Sequence, residues 1–315
     1  MGYAKNLTAI GTAFALSTLA VSAQSDADRA EAFFRDNLKR SAENYVNTAV
    51  EDAFRNRFDN IEFDMAGFDK GKPIFSLRTV QPLADNTKKG SSSFFQGSLI
   101  SGRDTDTLNL GFGQRWLIQE GKLLAGINVF YDNEWDAGHE RASLGFELLS
   151  TVGDFRYNHY TALSDEENVS GVEEQALNGF DTELSVPLPY LPTTRLRAKS
   201  FAWEGENGAD DLEGSTISLS ADLPKGFQLE AGTTSYDGDV LADQDFIYLS
   251  FNLARYKQKE PLHQFVSKQA YGLQDVSHRR FEKVRRADRI VKQRGSTSLG
   301  LNMGTRAGTI TFTGV

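Results

Sequence analysis

No cysteine occurs in this chain of 315 residues. No disulfide can therefore hold the fold, and burial with a closed hydrogen-bond ladder has to do so. Long apolar runs are also scarce. Only Leu7 to Val21 approaches the length of a membrane-spanning helix, and it falls short. Any membrane crossing further along must use strands. Histidine is rare, at four residues, and no glycine-rich phosphate loop is present. An excess of positive charge is missing too: the formal charge of −9 argues against nucleic acid as a partner. The length allows one large β domain or two ordinary ones.

What the chain has in abundance is alternation. Between Thr105 and Val152, Leu108, Leu110, Phe112, Trp116 and Ile118 alternate with Asn109, Gly111, Gly113 and Arg115. After Glu120-Gly121-Lys122, Ala125, Ile127, Val129 and Tyr131 alternate with Gly126, Asn128 and Asp132, and Ala142, Leu144, Phe146 and Leu148 then alternate with Ser143, Gly145 and Glu147. A period of two places one set of side chains on each face of a sheet. Similar segments, each roughly ten residues long, as a tilted strand needs to cross a bilayer, recur near 60–67, 73–83, 92–102, 106–119, 122–134, 140–152, 155–164, 176–188, 194–204, 215–223, 227–236 and 245–256. Aromatic residues make up 11% of the chain and gather near strand ends, as interface girdles do.

The connections alternate in length. Glu120-Gly121-Lys122, Val152-Gly153-Asp154, Pro189 to Pro192 and Pro224-Lys225-Gly226 are tight, whereas Asp132 to Glu140, Asp165 to Glu174, Glu204 to Gly214 and Asp237 to Asp245 are longer and polar. Such asymmetry marks a bacterial outer-membrane barrel rather than an immunoglobulin-like sandwich. The polar strand face carries Glu147, Arg156, Asp181, Glu183, Arg195, Arg197, Lys199 and Glu230, which excludes a dry core. The fold class expected is therefore all-β, a transmembrane antiparallel β-barrel of about twelve strands over residues 60–256. Leu110, Leu144 and Leu249 face lipid, and the outer-membrane bilayer is the first partner.

The flanks differ. Residues 1–23 form a signal peptide: Lys5, an apolar run, then Val21-Ser22-Ala23. An uncleaved N-terminal anchor is the alternative. Residues 24–59 form a periplasmic helix, with Phe34, Leu38, Ala42, Tyr45, Ala49 and Phe54 near one face. Such a stripe identifies burial and not its partner, so packing on the protein's own body, docking and a homodimer all stay open. Residues 257–294 hold eleven Lys or Arg against four acids, and a Gly- and Thr-rich tail at 295–315 could form one or two short strands.

Gly126-Ile127-Asn128-Val129-Phe130-Tyr131-Asp132, Gly138-His139-Glu140-Arg141, Leu144-Gly145-Phe146-Glu147, Asn178-Gly179-Phe180-Asp181 with Pro187-Leu188-Pro189-Tyr190, and Lys283 to Val291 together resemble the β-domain of the inverse autotransporters, the intimin and invasin family of type V secretion. The likeness covers roughly Phe75 to Val291, in the family's order. It implies a twelve-stranded barrel whose C-terminal segment threads back through the lumen to the cell surface, with assembly by the barrel-assembly machinery and periplasmic chaperones. About 3.3 Å per extended residue makes 257–294 long enough for that crossing. Arg285, Arg286 and Arg289 would then pair with Glu147, Asp181, Glu183 or Glu230 in the lumen. The alternative leaves the basic stretch in the periplasm, against peptidoglycan or anionic headgroups. Family members usually continue into immunoglobulin-like domains, whereas about twenty residues follow the boundary here, read as a vestigial passenger or tail.

Other chemistries are weaker. A free-standing small channel is the main alternative. An outer-membrane hydrolase would need His159 to work with Ser164 and Asp165, but no nucleophile elbow or other local signature supports it. Asp132 to Gly138 hints at a calcium loop but has Ser143 where the loop's last ligand should be glutamate. Neither a cofactor site nor a metal site is expected.

Overall fold

The structure, a computed structural model, describes residues 60–66, 74–86, 90–101, 105–238, 241–258, 266–295 and 311–313. The expected signal peptide and periplasmic helix lie outside these residues. The strands in chain order are β1 (Ile61–Ala66), β2 (Ile74–Asn86), β3 (Ser91–Ser101), β4 (Thr107–Ile118), β5 (Leu123–Glu134), β6 (His139–Leu149), β7 (Asp154–Ala162), β8 (Glu167–Val169) and β9 (Val172–Ala176). They continue with β10 (Gly179–Leu188), β11 (Leu191–Trp203), β12 (Leu212–Asp222), β13 (Phe227–Tyr236), β14 (Gln244–Asn252), β15 (Lys292–Arg294) and β16 (Thr311–Thr313).

Twelve strands close into one barrel: β1 to β7 and β10 to β14, each antiparallel to its neighbours, with β14 returning to β1 through Phe63 opposite Phe251. The burial pattern inverts that of a soluble sheet. Phe112, Ile127, Val129, Leu144 and Phe146 point outward and are exposed, while Arg115, Asp132, Arg141, Glu147 and Arg156 point inward and are fully buried. Charged residues are almost never fully buried unless paired, so the inner face has to be a connected polar network. Register is fixed by the same alternation. Leu110 lies opposite Tyr131, and Val129 opposite Leu144, so a one-residue slip would turn an entire charged set to the outside.

The connections are less regular than the sequence suggests. β5 and β6 run on through most of the loop expected at 132–140, leaving only Trp135–Gly138 between them, because Asp132 and Glu134 find partners inside the barrel. Downstream the expected asymmetry holds, with Pro189 and Tyr190 joining β10 to β11 at one rim and the long segment after β7 at the other. The polar loop expected at 165–174 contains the β8–β9 hairpin, whose turn residues Ser170 and Gly171 both have positive φ (55° and 86°). This hairpin forms a separate small sheet in the order β16-β15-β9-β8. The last barrel strand ends at Asn252, not 256, where Leu253–Gln258 turns into a short helix, α1, beside the turn at Pro224–Gly226.

Candidate functional site

The site is the barrel's lumen, and it is occupied. Residues 266–276 pass beneath three short turns in succession. The Ser267 amide donates to Tyr190 O (2.9 Å), the Thr151 hydroxyl to Gly272 O (2.7 Å), and the Val276 amide to Gly121 O (2.8 Å). A 3₁₀ turn, Ser277–Phe281, then carries the chain into the barrel. At its start Ser277 donates both its hydroxyl and its amide to Asp275, holding that exposed carboxyl below its usual range. From here to Lys292 the chain crosses to the opposite rim, where β15 pairs with β9.

Two flat aromatic shelves carry this crossing. A Cβ at Gly113 would lie 2.2 Å from the Phe94 ring, and one at Gly111 2.2 Å from the Phe130 ring, so only glycine lets these rings lie flat on the wall. Each shelf supports a guanidinium, Arg115 at 4.4 Å from the Phe94 centroid and Arg286 at 4.5 Å from that of Phe130. Arg115 belongs to the wall. Glu147 holds its Nε (2.6 Å), and its Nη1 donates to the carbonyls of Arg280 (2.8 Å) and Glu282 (2.7 Å). Arg286 belongs to the threaded segment and makes a bidentate pair with Asp132 (2.8 and 2.5 Å).

Every stage of the crossing is bonded to the wall. Arg279 reaches Asp154 with both terminal nitrogens (2.8 and 2.9 Å), and Lys283 pairs with Glu62. The Val284 amide donates to Gln96 Oε1 (2.8 Å). Arg285 turns the other way, to Glu183 (3.2 Å) and Glu230 (3.1 Å). The Ala287 amide donates to the Tyr160 hydroxyl (2.7 Å), and Asp288 pairs with Arg78. At the far rim the Lys292 ammonium sits between Glu134 (2.6 Å) and Glu174 (3.3 Å), while Arg294 meets Glu174 at 2.7 Å. Removing one partner from so buried a pair leaves the other charge uncompensated and costs far more than the intact pair contributes.

Of the expected pairings, the structure brings together Arg285 with Glu183 and Glu230. Arg286 has Asp132 as its partner instead. Glu147 is taken by the wall residue Arg115, and Asp181 accepts from Asn158 (2.8 Å) and from the Tyr160 hydroxyl (2.6 Å), also in the wall. Arg289 lines a cavity of about 330 Å³ between the threaded segment and the wall of β10 to β14 and β1 to β3, together with Lys199, Tyr236 and Tyr248. Leu110 and Leu144 are exposed on the outer face, where Leu249 lies half-buried. Asp132, Arg78, Gln96 and Lys292 escaped the sequence-based selection. The inward parity of Asp132 on β5 is the available signal, and its place at the head of the polar run 132–140 masks it.

The hydrolase and calcium alternatives find no support in the geometry. His159 is exposed on the outer face of β7, and the Ser164 hydroxyl accepts from the Glu140 amide (3.2 Å). Asp132 and Glu134 of the supposed calcium loop are bound to Arg286 and Lys292 inside the barrel.

A family model described as inverse autotransporter, beta-domain, matches residues 13–287. Among solved structures, one from work on the in-meso crystallisation of membrane proteins is 18% identical, covering 75% of this chain and 98% of that one with a TM-score of 0.63. This likeness bears on the fold alone. A KdgM porin (6% identity, 61% and 98% coverage, TM-score 0.42) and outer membrane phospholipase A from Escherichia coli (10%, 61% and 87%, 0.38) are more remote, too much so to bear on this chain.

Proposed function

Because the chain belongs to the inverse autotransporter β-domain family and forms its outer-membrane anchor and translocator barrel, we propose that the lumenal segment is an exported linker at rest, held so that residues beyond Arg294 stand at the cell surface. In this layout residues 1–23 are removed as a signal peptide and 24–59 stay in the periplasm, where peptidoglycan contact or dimer formation would take place. The twelve barrel strands between Ile61 and Asn252 anchor the chain in the bilayer with no catalytic role, and residues 277–294 cross back through the lumen. Insertion then depends on the barrel-assembly machinery and periplasmic chaperones, and the long loops face outside.

The observation that carries this reading is the continuous bonded path of residues 276–294 from the rim of short turns, at Gly121, to the rim of long loops, at β9. A free-standing channel fits less well, since buried ion pairs fill much of its bore. The test uses the absence of native thiols. A Ser296→Cys variant should react with a membrane-impermeant maleimide on intact cells. Protection until the outer membrane is permeabilised would overturn the proposal.

A further inference from the structure

Resting on the threading just proposed, we infer that the wall formed by β4 to β7 is a preformed socket for a single guanidinium, and that its grip on Arg286 sets the register at which the exported chain stops. The socket is planar on one side, where the Phe130 ring lies over Gly111 and the Arg286 guanidinium lies 4.5 Å from its centroid. The Tyr160 ring stands 5.4 Å away. Asp132 supplies two parallel acceptors, which suit a guanidinium and not an ammonium. The wall holds that carboxylate in place through Arg141, whose Nε donates to it at 2.9 Å. Arg141 in turn lies over Tyr160 (4.5 Å) and donates to Ala287 O (2.7 Å), so the residue after Arg286 is gripped as well. The side chains of Arg286, Asp132 and Arg141 are all completely buried.

Arg285 next door is held differently. It is one-fifth exposed, whereas Arg286 is completely buried, and it meets two carboxylates with no aromatic shelf. The paired arginines do not blur the register. A slip of one residue toward the surface would offer Arg285 to the socket, but it would also bring Val284 opposite Glu183 and Glu230, and Ala287 opposite Arg78. Three inward-facing charges would lose partners they now hold. The socket therefore recognises arginine, and its neighbours make the choice unique.

Cross-linking the full-length protein tests this. Gln96→Cys is combined in turn with Lys283→Cys, Val284→Cys and Arg285→Cys, and each pair is treated with a short bis-thiol reagent. With the socket intact, position 284 should dominate, since its amide bonds directly to Gln96. Arg286→Lys and Phe130→Leu should each lower the 284 yield relative to its neighbours by at least about tenfold, because each removes a planar contact and leaves the charges in place. Phe130→Leu leaves the threaded chain unaltered, and retained heat-modifiability on gels shows that the barrel is folded. A 284-only pattern in both variants would overturn the socket while leaving the threading intact. Loss of the 284 link in the protein with an unaltered socket would instead overturn the threading.

Discussion

Ile217 and Ser218 are adjacent on β12 and face opposite ways, so the same substitution at each separates lipid from lumen at one depth. Ile217 is the middle residue of an eleven-residue strand and is 47% exposed on the outer face. At about 3.3 Å per residue and a tilt of about 40°, each strand end lies about 13 Å away along the barrel axis. The residue therefore sits near the centre of an apolar band about 25 Å tall. An arginine there should cost about 2–4 kcal/mol, or about 30- to 700-fold in the folding equilibrium at tenfold per 1.4 kcal/mol. Ser218 is buried, donates to Glu230 at 2.7 Å, and lines the cavity beside the threaded segment. Ser218→Arg loses that neutral donor and brings a cation beside Arg197 and Arg285, which already share Glu230, but the cavity lets it turn away from them, so about 1 kcal/mol is expected, less than at Ile217. Denaturant unfolding of both variants in lipid vesicles, followed by tryptophan fluorescence, gives the two costs. Equal costs, or a larger one at Ser218, would refute the assignment of faces.

Gly113→Ala should lower stability by about 1–3 kcal/mol, because its new Cβ would meet the Phe94 ring at 2.2 Å and tilt the shelf beneath Arg115. An unchanged unfolding midpoint would show that the shelf is not needed. An epitope inserted at Gly208, where an added Cβ meets nothing within 4 Å, should be tolerated and labelled on intact cells. Labelling only after permeabilisation would reverse the sidedness of the loops.

The twelve crossings were legible because period-two alternation is local, and each strand declares its own two faces. The same locality explains the misplaced boundaries. Asp132 and Glu134 look like loop residues until Arg286 and Lys292, more than 150 positions away, arrive to neutralise them. The partner choice inside the lumen was out of reach for a related reason. Composition shows that a basic segment and acidic walls coexist, and its pool of three arginines and four carboxylates contains Arg285, Glu183 and Glu230 without assigning them to one another. It could not show that the wall's own Arg115 claims Glu147, because that depends on which strands are neighbours and at what register. The β8–β9 hairpin was hidden for the opposite reason: its strands are too short for alternation to register and depend on β15 beside them.

Arg285 and Arg286 are consecutive yet fastened to opposite walls, and this has a mechanical consequence. Tension applied to the surface end of the chain reaches both at nearly the same displacement, since about 3.3 Å of backbone separates them. Their contacts must therefore fail together, unlike a zipper, where bonds give way one after another under a small steady pull. The two side chains act as a transverse strut across the bore, so a load on the chain is delivered to both sides of a closed cylinder. Strands in such a cylinder have no free edge from which to peel.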